Sequence, residues 1–272
     1  MGTQKRFPWY DSVWLDAYCF ARETVSSGYP DRLNEFDEFF QVFQTDPEFQ
    51  VSKHDNVLAP GRLDELKELI ASLASHELEK QELLSFGRFV VHDHPVFDDI
   101  QAELTELASR LAKESLEPSY NFLSLYNNLG YCQPHMDAPY AKWTLDICIE
   151  QSAIWPIYFS RPRPWPTDLV DSQSDWQQSI LSNPDNQFQA VALEEGEAAF
   201  FSGSSQWHYR QRIQQVTENN FCHLLFLHFI PAGTRDMLKP ENWAELLAIP
   251  ELEGLTDHYD NTVFEFSVSS RQ

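Results

Sequence analysis

A histidine and an aspartate stand two residues apart at His135 and Asp137, and a third candidate metal ligand, His208, follows later in the chain. In an extended segment, residues i and i+2 project to the same face, so His135 and Asp137 can reach one metal ion. Two histidines and one carboxylate leave coordination positions open, which suits non-haem Fe(II) that must bind a co-substrate and O2 together. The spacing predicts a rolled sheet that brings the two segments face to face.

Two other histidine motifs compete with this interpretation. With nine histidines and 42 acidic residues, a His-x-acid pair is expected by chance, and His258-Tyr259-Asp260 is a second one in a polar tail. His92-Asp93-His94 places two histidines at i and i+2 on a predicted strand, as in metal-binding cupins, where a carboxylate completes a zinc or manganese site. Against that role, Pro95 ends the strand and Asp93 is placed to cap the helix that starts near Phe97.

The elements before these motifs are predicted to be mainly helical. Apolar residues spaced by three and four from Phe97 to Leu111 form one stripe, and the same spacing recurs from Leu63 to Leu73. Shorter helices are predicted near Trp9 to Ala21 and Leu33 to Phe43. Between the two strong helices, Gly87 to His92 has the β-branched and aromatic content of a strand.

From Tyr120 onwards, short aromatic and β-branched runs alternate with Gly, Pro and Asn clusters, which predicts a sandwich or small barrel rather than βαβ units. No linker separates the two halves, so we expect one α+β domain over residues 1–272. In it, residues 1–118 are helical support, 119–231 hold the strand core and metal site, and 232–272 form a C-terminal helix and tail. The predicted strands are Tyr120 to Asn127, Trp143 to Ile149, Ile157 to Ser160, Gln189 to Leu193, Ala198 to Ser202, His208 to Ile213 and Phe221 to Ile230.

Composition excludes several classes of partner. The chain has 19 Lys and Arg against 42 Asp and Glu, a formal net charge of −23. Such a surface repels phosphate backbones and anionic lipids, so we expect neither nucleic acid nor membrane as a partner. Cys19, Cys132, Cys148 and Cys222 form no Cys-x-x-Cys pair, which argues against a zinc ribbon or disulfide framework. With no apolar run long enough for a signal peptide or a membrane span, we predict a cytoplasmic protein.

Six segments in the strand half occur in a distinctive order. They are Tyr120-Asn121-Phe122-Leu123, Pro134-His135-Met136-Asp137, Trp155-Pro156-Ile157-Tyr158-Phe159, Gly196-Glu197, Trp207-His208-Tyr209-Arg210 and Phe226-Leu227-His228-Phe229. Together they resemble the Fe(II)- and 2-oxoglutarate-dependent oxygenases, specifically the prolyl-4-hydroxylase-like branch, over about Tyr120 to Pro231. The resemblance implies a double-stranded β-helix, or jelly roll, with an N-terminal helical layer packed on it. It also implies that His135, Asp137 and His208 are the catalytic iron ligands.

The resemblance further implies a reaction. Fe(II), 2-oxoglutarate and O2 would be used to hydroxylate or otherwise oxidise an unactivated C–H bond, while 2-oxoglutarate is decarboxylated to succinate. Related halogenases on this fold carry a small residue at the position of Asp137, which leaves room for chloride. The carboxylate of Asp137 therefore favours C–H oxidation.

The residue that anchors the far carboxylate of 2-oxoglutarate is less clear from the sequence. Members of the family often place an arginine or lysine downstream of the distal histidine, where this chain has Glu218, which cannot pair with a carboxylate. Arg210 and Arg212 share the face of His208 if the strand continues with period two, and a guanidinium matches a carboxylate bidentately. We predict Arg210 as the anchor. The reserves are Arg212 and His223, and the expected further hydrogen-bonding residues are Tyr120 and Asn121.

The expected substrate is a small molecule, either a free amino acid or a biosynthetic intermediate. The net acidity disfavours nucleic acid, and the chain has no peptide-binding extension. Arg88 is a candidate to hold a substrate carboxylate. The residues expected to shape the pocket are Tyr126, Met136, Trp155 and Trp207.

Two alternatives belong to other classes of protein. One is a metal-free jelly-roll module that recruits a basic protein partner through the acidic surface. The other is a cupin-like isomerase or hydrolase that uses His92 and His94. His228, a lone histidine in a β-rich core, is expected to be a buried histidine with its hydrogen bonds satisfied rather than a ligand.

Overall fold

The structure is a computed structural model that describes residues 5–6, 12–165, 170–171 and 175–255. The helices in this part of the chain are α1 (Ser12–Gly28), α2 (Leu33–Gln41), α3 (Arg62–Ser72), α4 (Pro95–Ala112), α5 (Trp176–Ser182) and α6 (Trp243–Leu246). The strands are β1 (Lys5–Arg6), β2 (Ser52–His54), β3 (Arg88–His92), β4 (Leu116–Tyr126), β5 (Cys132–His135), β6 (Trp143–Gln151), β7 (Ile157–Pro162), β8 (Val170–Asp171), β9 (Gln189–Val191), β10 (Ala198–Phe201), β11 (Gln206–Arg210) and β12 (Cys222–Pro231).

Two antiparallel sheets form the centre of the fold. One has six strands in the order β2-β10-β6-β12-β4-β3, and the other has four in the order β5-β11-β7-β9. Phe226 of the first sheet and Phe159 of the second belong to one buried apolar cluster, so the sheets face each other across a shared interior. Side chains alternate along each strand between this interior and the outer face.

Helix α4 covers the outer face of the six-stranded sheet. Its stripe of Phe97, Ile100 and Leu104 is buried in one cluster with Leu225 and Leu227 of β12. Leu225 and Leu227 alternate along β12 with residues that face the interior. Both faces of this strand are therefore apolar. The predicted stripe is therefore confirmed as a contact surface.

The start of α4 differs from the prediction. His94, rather than Asp93, is the N-cap residue, and its Nδ1 accepts a hydrogen bond from the Val96 amide at 3.3 Å. Pro95 occupies the first turn, where its lack of an N–H has no cost. Asp93 has a φ of 52°, a left-handed conformation that aspartate tolerates better than most residues.

A second core lies under α1 and α2 and is built largely from aromatic rings. Trp14 packs edge-on against Phe40, Trp165 and Trp243, with ring centroids 5.9, 5.1 and 5.6 Å away. Its indole N–H donates to the Leu238 carbonyl at 2.9 Å, so the buried polar atom is satisfied. This cluster connects the N-terminal helices to the segment after β12.

Several element boundaries differ from those predicted. β11 runs over Gln206–Arg210 and ends before Arg212, and Cys132–His135 forms a strand that was not predicted. Between residues 232 and 255, the only α-helix is α6, of four residues. The tail with His258 and Asp260 and the predicted helix start at Trp9 lie outside the described residues. The division of 1–272 into support, core and tail remains a prediction.

All four cysteines are free. Among the described residues, no helix combines the length and the apolar character that crossing a bilayer requires.

Gln101 of α4 connects the helical layer to β4 and β12. Its buried amide donates to the Tyr120 and His228 carbonyls at 3.0 and 2.7 Å and accepts from the Asn121 amide at 2.9 Å. We expect Gln101→Leu to lower the free energy of unfolding by about 2 kcal/mol, because it leaves buried polar groups without partners. Urea denaturation measures this loss. Glu106→Gln, on the exposed side of the same helix, should change stability by less than about 0.5 kcal/mol, and equal effects would contradict the prediction.

Candidate metal centre

The three sequence-predicted ligands come from the ends of two paired strands. His135 is the last residue of β5, Asp137 follows two residues later, and His208 lies within β11. The two strands are antiparallel, with His208 directly opposite His135 and Arg210 opposite Cys132. The sequence therefore brings His135 and His208 together through strand pairing, as a rolled sheet requires.

The three side chains converge on one point. His135 Nε2 lies 3.5 Å from Asp137 Oδ1, and His208 Nε2 lies 3.6 Å from Asp137 Oδ2. The ligand atoms of all three residues lie within 4.8 Å of one another, and no other group of His, Cys, Asp or Glu does so in the part of the chain that the structure describes. The side chains of His135, Asp137 and His208 are 15%, 14% and 6% exposed, so the site is shielded but open on one side.

Backbone carbonyls orient both imidazole rings. The Gln133 carbonyl lies 2.8 Å from His135 Nδ1, and the Gln206 carbonyl lies 3.0 Å from His208 Nδ1. A carbonyl oxygen only accepts, so each Nδ1 donates its proton to a carbonyl, and each Nε2 faces Asp137. This is the tautomer that a metal-binding histidine needs.

The three groups differ in the direction of their pKa shifts. Burial alone would raise the pKa of Asp137, but His208 and His135 outweigh that effect and hold the pKa well below its usual range. Burial, reinforced by the nearby His135, lowers the pKa of His208 to about 4. At neutral pH, Asp137 is therefore ionised and His208 is a neutral imidazole. Burial would lower the pKa of His135, but Cys132 and Asp137 outweigh that effect and raise the pKa well above its usual value, so a metal ion would have to displace a proton from His135.

Gly203 holds the Asp137 segment against β6. The Asp137 amide donates to the Gly203 carbonyl at 2.9 Å. A Cβ at position 203 would lie 2.5 Å from both the Ala141 carbonyl oxygen and Asp137 Oδ2, and 3.2 Å from Thr144 Oγ1. Only glycine fits here, because any side chain would displace the carboxylate.

His228 is a residue of the site that sequence reasoning did not identify. Its Nδ1 pairs with Thr144 Oγ1 at 2.9 Å and its ring stacks on Tyr120 with centroids 4.1 Å apart. Among the described residues, its buried Nε2 has no hydrogen-bond partner, so the expectation of a fully satisfied histidine is wrong. Burial lowers its pKa to about 4, so the ring is neutral at neutral pH. The sequence signal for its interior position is its even spacing from Leu224 and Phe226, which face the interior.

Arg210 faces the interior, as predicted, but it is not an unpaired cation. Its Nη2 lies 2.6 Å from Asp146 Oδ2, and the two side chains are 3% and 0% exposed. Its Nη1 donates to the Trp155 carbonyl, and its guanidinium lies 5.0 Å from the centroid of the Trp155 ring. The charge of Arg210 is therefore balanced by a fully buried carboxylate.

Three other predicted co-substrate residues do not face the interior. Arg212 lies beyond the end of β11, where it is exposed, with its guanidinium 5.2 Å from the Tyr131 ring. His223 shares the outer face with Leu225, because it alternates with the interior-facing Leu224. Asn121 donates to Asp98 and Gln101 on the α4 side. The remaining predicted co-substrate residue, Tyr120, faces the interior and stacks on His228.

The predicted pocket residues divide in the same way. Tyr126 and Trp155 belong to the interior cluster, with ring centroids 4.8 Å apart. Met136 and Trp207 instead belong to the aromatic cluster under α1 and α2. Strand alternation turns each away from its ligand neighbour, and their role in shaping a pocket stays a prediction.

The competing motif at His92 and His94 does not form a metal site. His92 Nδ1 pairs with Glu79 at 2.7 Å on the surface, while His94 caps α4. Their side chains have separate structural partners and do not belong to the convergent group.

Comparisons with known proteins identify the fold. No protein-family model matches the chain, and a search of curated proteins found no match. Among solved structures, SnoN, a non-haem α-ketoglutarate-dependent epimerase from nogalamycin biosynthesis, matches with a TM-score of 0.51 and 16% identity, over 74% of this chain and 89% of SnoN. HygX from Streptomyces hygroscopicus, with nickel, 2-oxoglutarate and hygromycin B bound, matches with a TM-score of 0.51 and 8% identity, over 67% of this chain and 83% of HygX.

A prolyl-4-hydroxylase from Pseudomonas putida matches with a TM-score of 0.48 and 12% identity, over 68% of this chain and 94% of that protein. The fold assignment rests on SnoN and HygX, whose TM-scores are higher. The chain has the double-stranded β-helix fold seen in the Fe(II)- and 2-oxoglutarate-dependent oxygenases. The predicted α+β class with N-terminal helices is confirmed.

Proposed function

We propose that the chain is an Fe(II)- and 2-oxoglutarate-dependent oxygenase that oxidises an unactivated C–H bond of a small molecule. The observation that carries this proposal is the convergence of His135, Asp137 and His208 inside a double-stranded β-helix. The donor set fits the metal, because two imidazoles that offer Nε2 and one carboxylate on one face leave positions for a bidentate co-substrate and O2.

The chain's own residues bind, orient and shield the reactants. The carbonyls of Gln133 and Gln206 fix the two imidazoles, and the close approach of Gly203 fixes the carboxylate. Iron, when bound together with 2-oxoglutarate, would supply the oxidising power that no side chain provides. Tyr120, Phe122 and Phe226 line the interior beside the triad and limit the access of water.

The ligands of two matched structures support a small-molecule substrate. SnoN has been solved with Fe3+, α-ketoglutarate and nogalamycin RO, and HygX with hygromycin B, so this fold accommodates such ligands in other proteins. Asp137 favours hydroxylation over halogenation, since a carboxylate occupies the position that chloride would need. SnoN is an epimerase, however, so desaturation, cyclisation or epimerisation are competing outcomes on the same centre.

The four free cysteines support a cytoplasmic location.

The proposal is tested by anaerobic titration of the apoprotein with Fe(II) and 2-oxoglutarate. We expect a visible metal-to-ligand charge-transfer band that requires both additions, because the keto acid must chelate the iron. The band should be absent when succinate replaces 2-oxoglutarate. A missing band in the wild-type protein, or a band that persists after both His135→Ala and His208→Ala are introduced, would overturn the proposal.

A further inference from the structure

Two buried arginines lie deep in the interior, and they differ in how their charges are balanced. Arg210 pairs with Asp146, whose side chain is fully buried. Arg88 of β3 pairs through Nε with Glu82, whose side chain is 23% exposed and therefore screened by solvent. The positive charge of Arg88 is the less neutralised of the two.

The other contacts of Arg88 are uncharged. Its Nη1 donates to the Tyr126 hydroxyl at 2.9 Å and to Ser124 Oγ at 3.3 Å. Its guanidinium lies 5.3 Å from the Phe122 ring centroid and 5.4 Å from that of Tyr126. Within the described chain, Nη2 makes no hydrogen bond. The guanidinium of Arg88 is held in a fixed orientation, and its Nη2 has no protein partner in the described chain. It is therefore suited to bind a carboxylate.

A chain of side-chain contacts connects Arg88 to the level of Arg210. Tyr126, which accepts from Arg88, contacts Trp155, and Trp155 lies against Arg210. Arg210 is opposite Cys132 on β5, three residues before His135. At about 3.3 Å per residue, the level of Arg210 and Cys132 lies roughly 7 to 10 Å from the triad along the two strands.

That separation matches the length of a chelated five-carbon keto acid. Its four carbon–carbon bonds of about 1.5 Å span roughly 5 Å when extended. A metal–oxygen bond of about 2 Å and a charge-assisted hydrogen bond of about 2.8 Å extend the reach to about 10 Å. The wall between the two levels is formed by Phe122 and Phe226, whose stacked rings are 4.9 Å apart.

We propose that Arg88, oriented by the Tyr126 hydroxyl, anchors the distal carboxylate of 2-oxoglutarate. The inference rests on the proposed function and replaces the sequence-based choice of Arg210. The cation would then come from β3, at the edge of the six-stranded sheet, rather than from β11 or β12. The interior-facing residues of β12 are Cys222, Leu224, Phe226 and His228, none of which is a permanent cation.

The test compares two ligands that differ only at the distal end. Isothermal titration of the Mn(II)-loaded protein measures the affinity for 2-oxoglutarate and for 2-oxopentanoate, which has a methyl group in place of the distal carboxylate. We expect the wild-type protein to prefer 2-oxoglutarate. In Arg88→Gln that preference should fall by about 30-fold, while the affinity for 2-oxopentanoate should stay within about threefold and so report an intact metal site.

The matched control removes the other arginine without leaving a buried charge. Arg210→Gln combined with Asp146→Asn should keep the preference within about threefold of wild type. The inference is overturned if Arg88→Gln retains the preference, or if only the double variant loses it. Should Arg88→Gln not fold, Tyr126→Phe keeps the ring and removes the orienting hydroxyl, and it should reduce the preference by about fivefold. An unchanged preference there would also overturn the inference. A wild-type protein that binds no 2-oxoglutarate would instead refute the proposed function.

Discussion

Replacing His208 with alanine should lower the affinity for Mn(II) or Fe(II) by at least about 100-fold and abolish turnover. The imidazole supplies one of three ligands, and its Nε2 points at Asp137 from 3.6 Å. Metal titration followed by Mn(II) electron paramagnetic resonance measures the affinity without a co-substrate. This readout separates loss of the metal from loss of 2-oxoglutarate binding.

The matched control is His92→Ala. His92 is an exposed histidine that pairs with Glu79 at 2.7 Å and lies outside the convergent group. Its replacement should leave metal affinity within about twofold of wild type, since a surface ion pair contributes little. The opposite pattern, with metal lost in His92→Ala and kept in His208→Ala, would favour the cupin-like alternative. A metal-free binding module would show no specific metal binding in any variant.

Two of the three ligands were predictable because short-range geometry determines their relation. Residues i and i+2 on an extended segment share a face, and this rule alone groups His135 with Asp137. The same rule places Met136 and Trp207 on the opposite face, because each is one residue from a ligand, and both are buried in the other cluster. The rule also places His223 and His228 on opposite faces of the sheet, because they are an odd number of residues apart on β12.

The co-substrate anchor was not predictable in the same way. Arg210 and Asp146 are 64 residues apart in the chain, and their ion pair exists only because the two sheets face each other. Arg88 lies on β3, outside the segment that carries the family resemblance. No local sequence pattern indicates which of the two arginines will be paired with a buried carboxylate, because that carboxylate comes from a different strand.

The strand boundaries show a related limit. The sequence continues from His208 to Ile213 with strand-like residues, yet β11 ends at Arg210. Ile213 donates its amide to the Gly130 carbonyl at 2.8 Å instead, so a loop contact replaces the ladder. Strand ends depend on such tertiary partners, and Arg212 is exposed for this reason.

Gly203→Ala should damage the site without touching a ligand. The added methyl would lie 2.5 Å from the Ala141 carbonyl oxygen and 2.5 Å from Asp137 Oδ2, both well inside normal contact. The backbone oxygen cannot rotate away, so the carboxylate must move from the two imidazoles. We expect metal affinity to fall by at least about 10-fold, and the free energy of unfolding to fall by about 2 kcal/mol from overpacking.

Gly28→Ala provides the control for this change. Gly28 ends α1, and no atom lies within 4 Å of its added Cβ. Alanine there should leave metal affinity unchanged and raise helix stability by up to about 1 kcal/mol. Metal titration and thermal unfolding of the two variants separate the outcomes. If Gly203→Ala lost stability but bound metal normally, the carboxylate would not depend on this close approach, and Asp137 would be positioned by its neighbours on β5 alone.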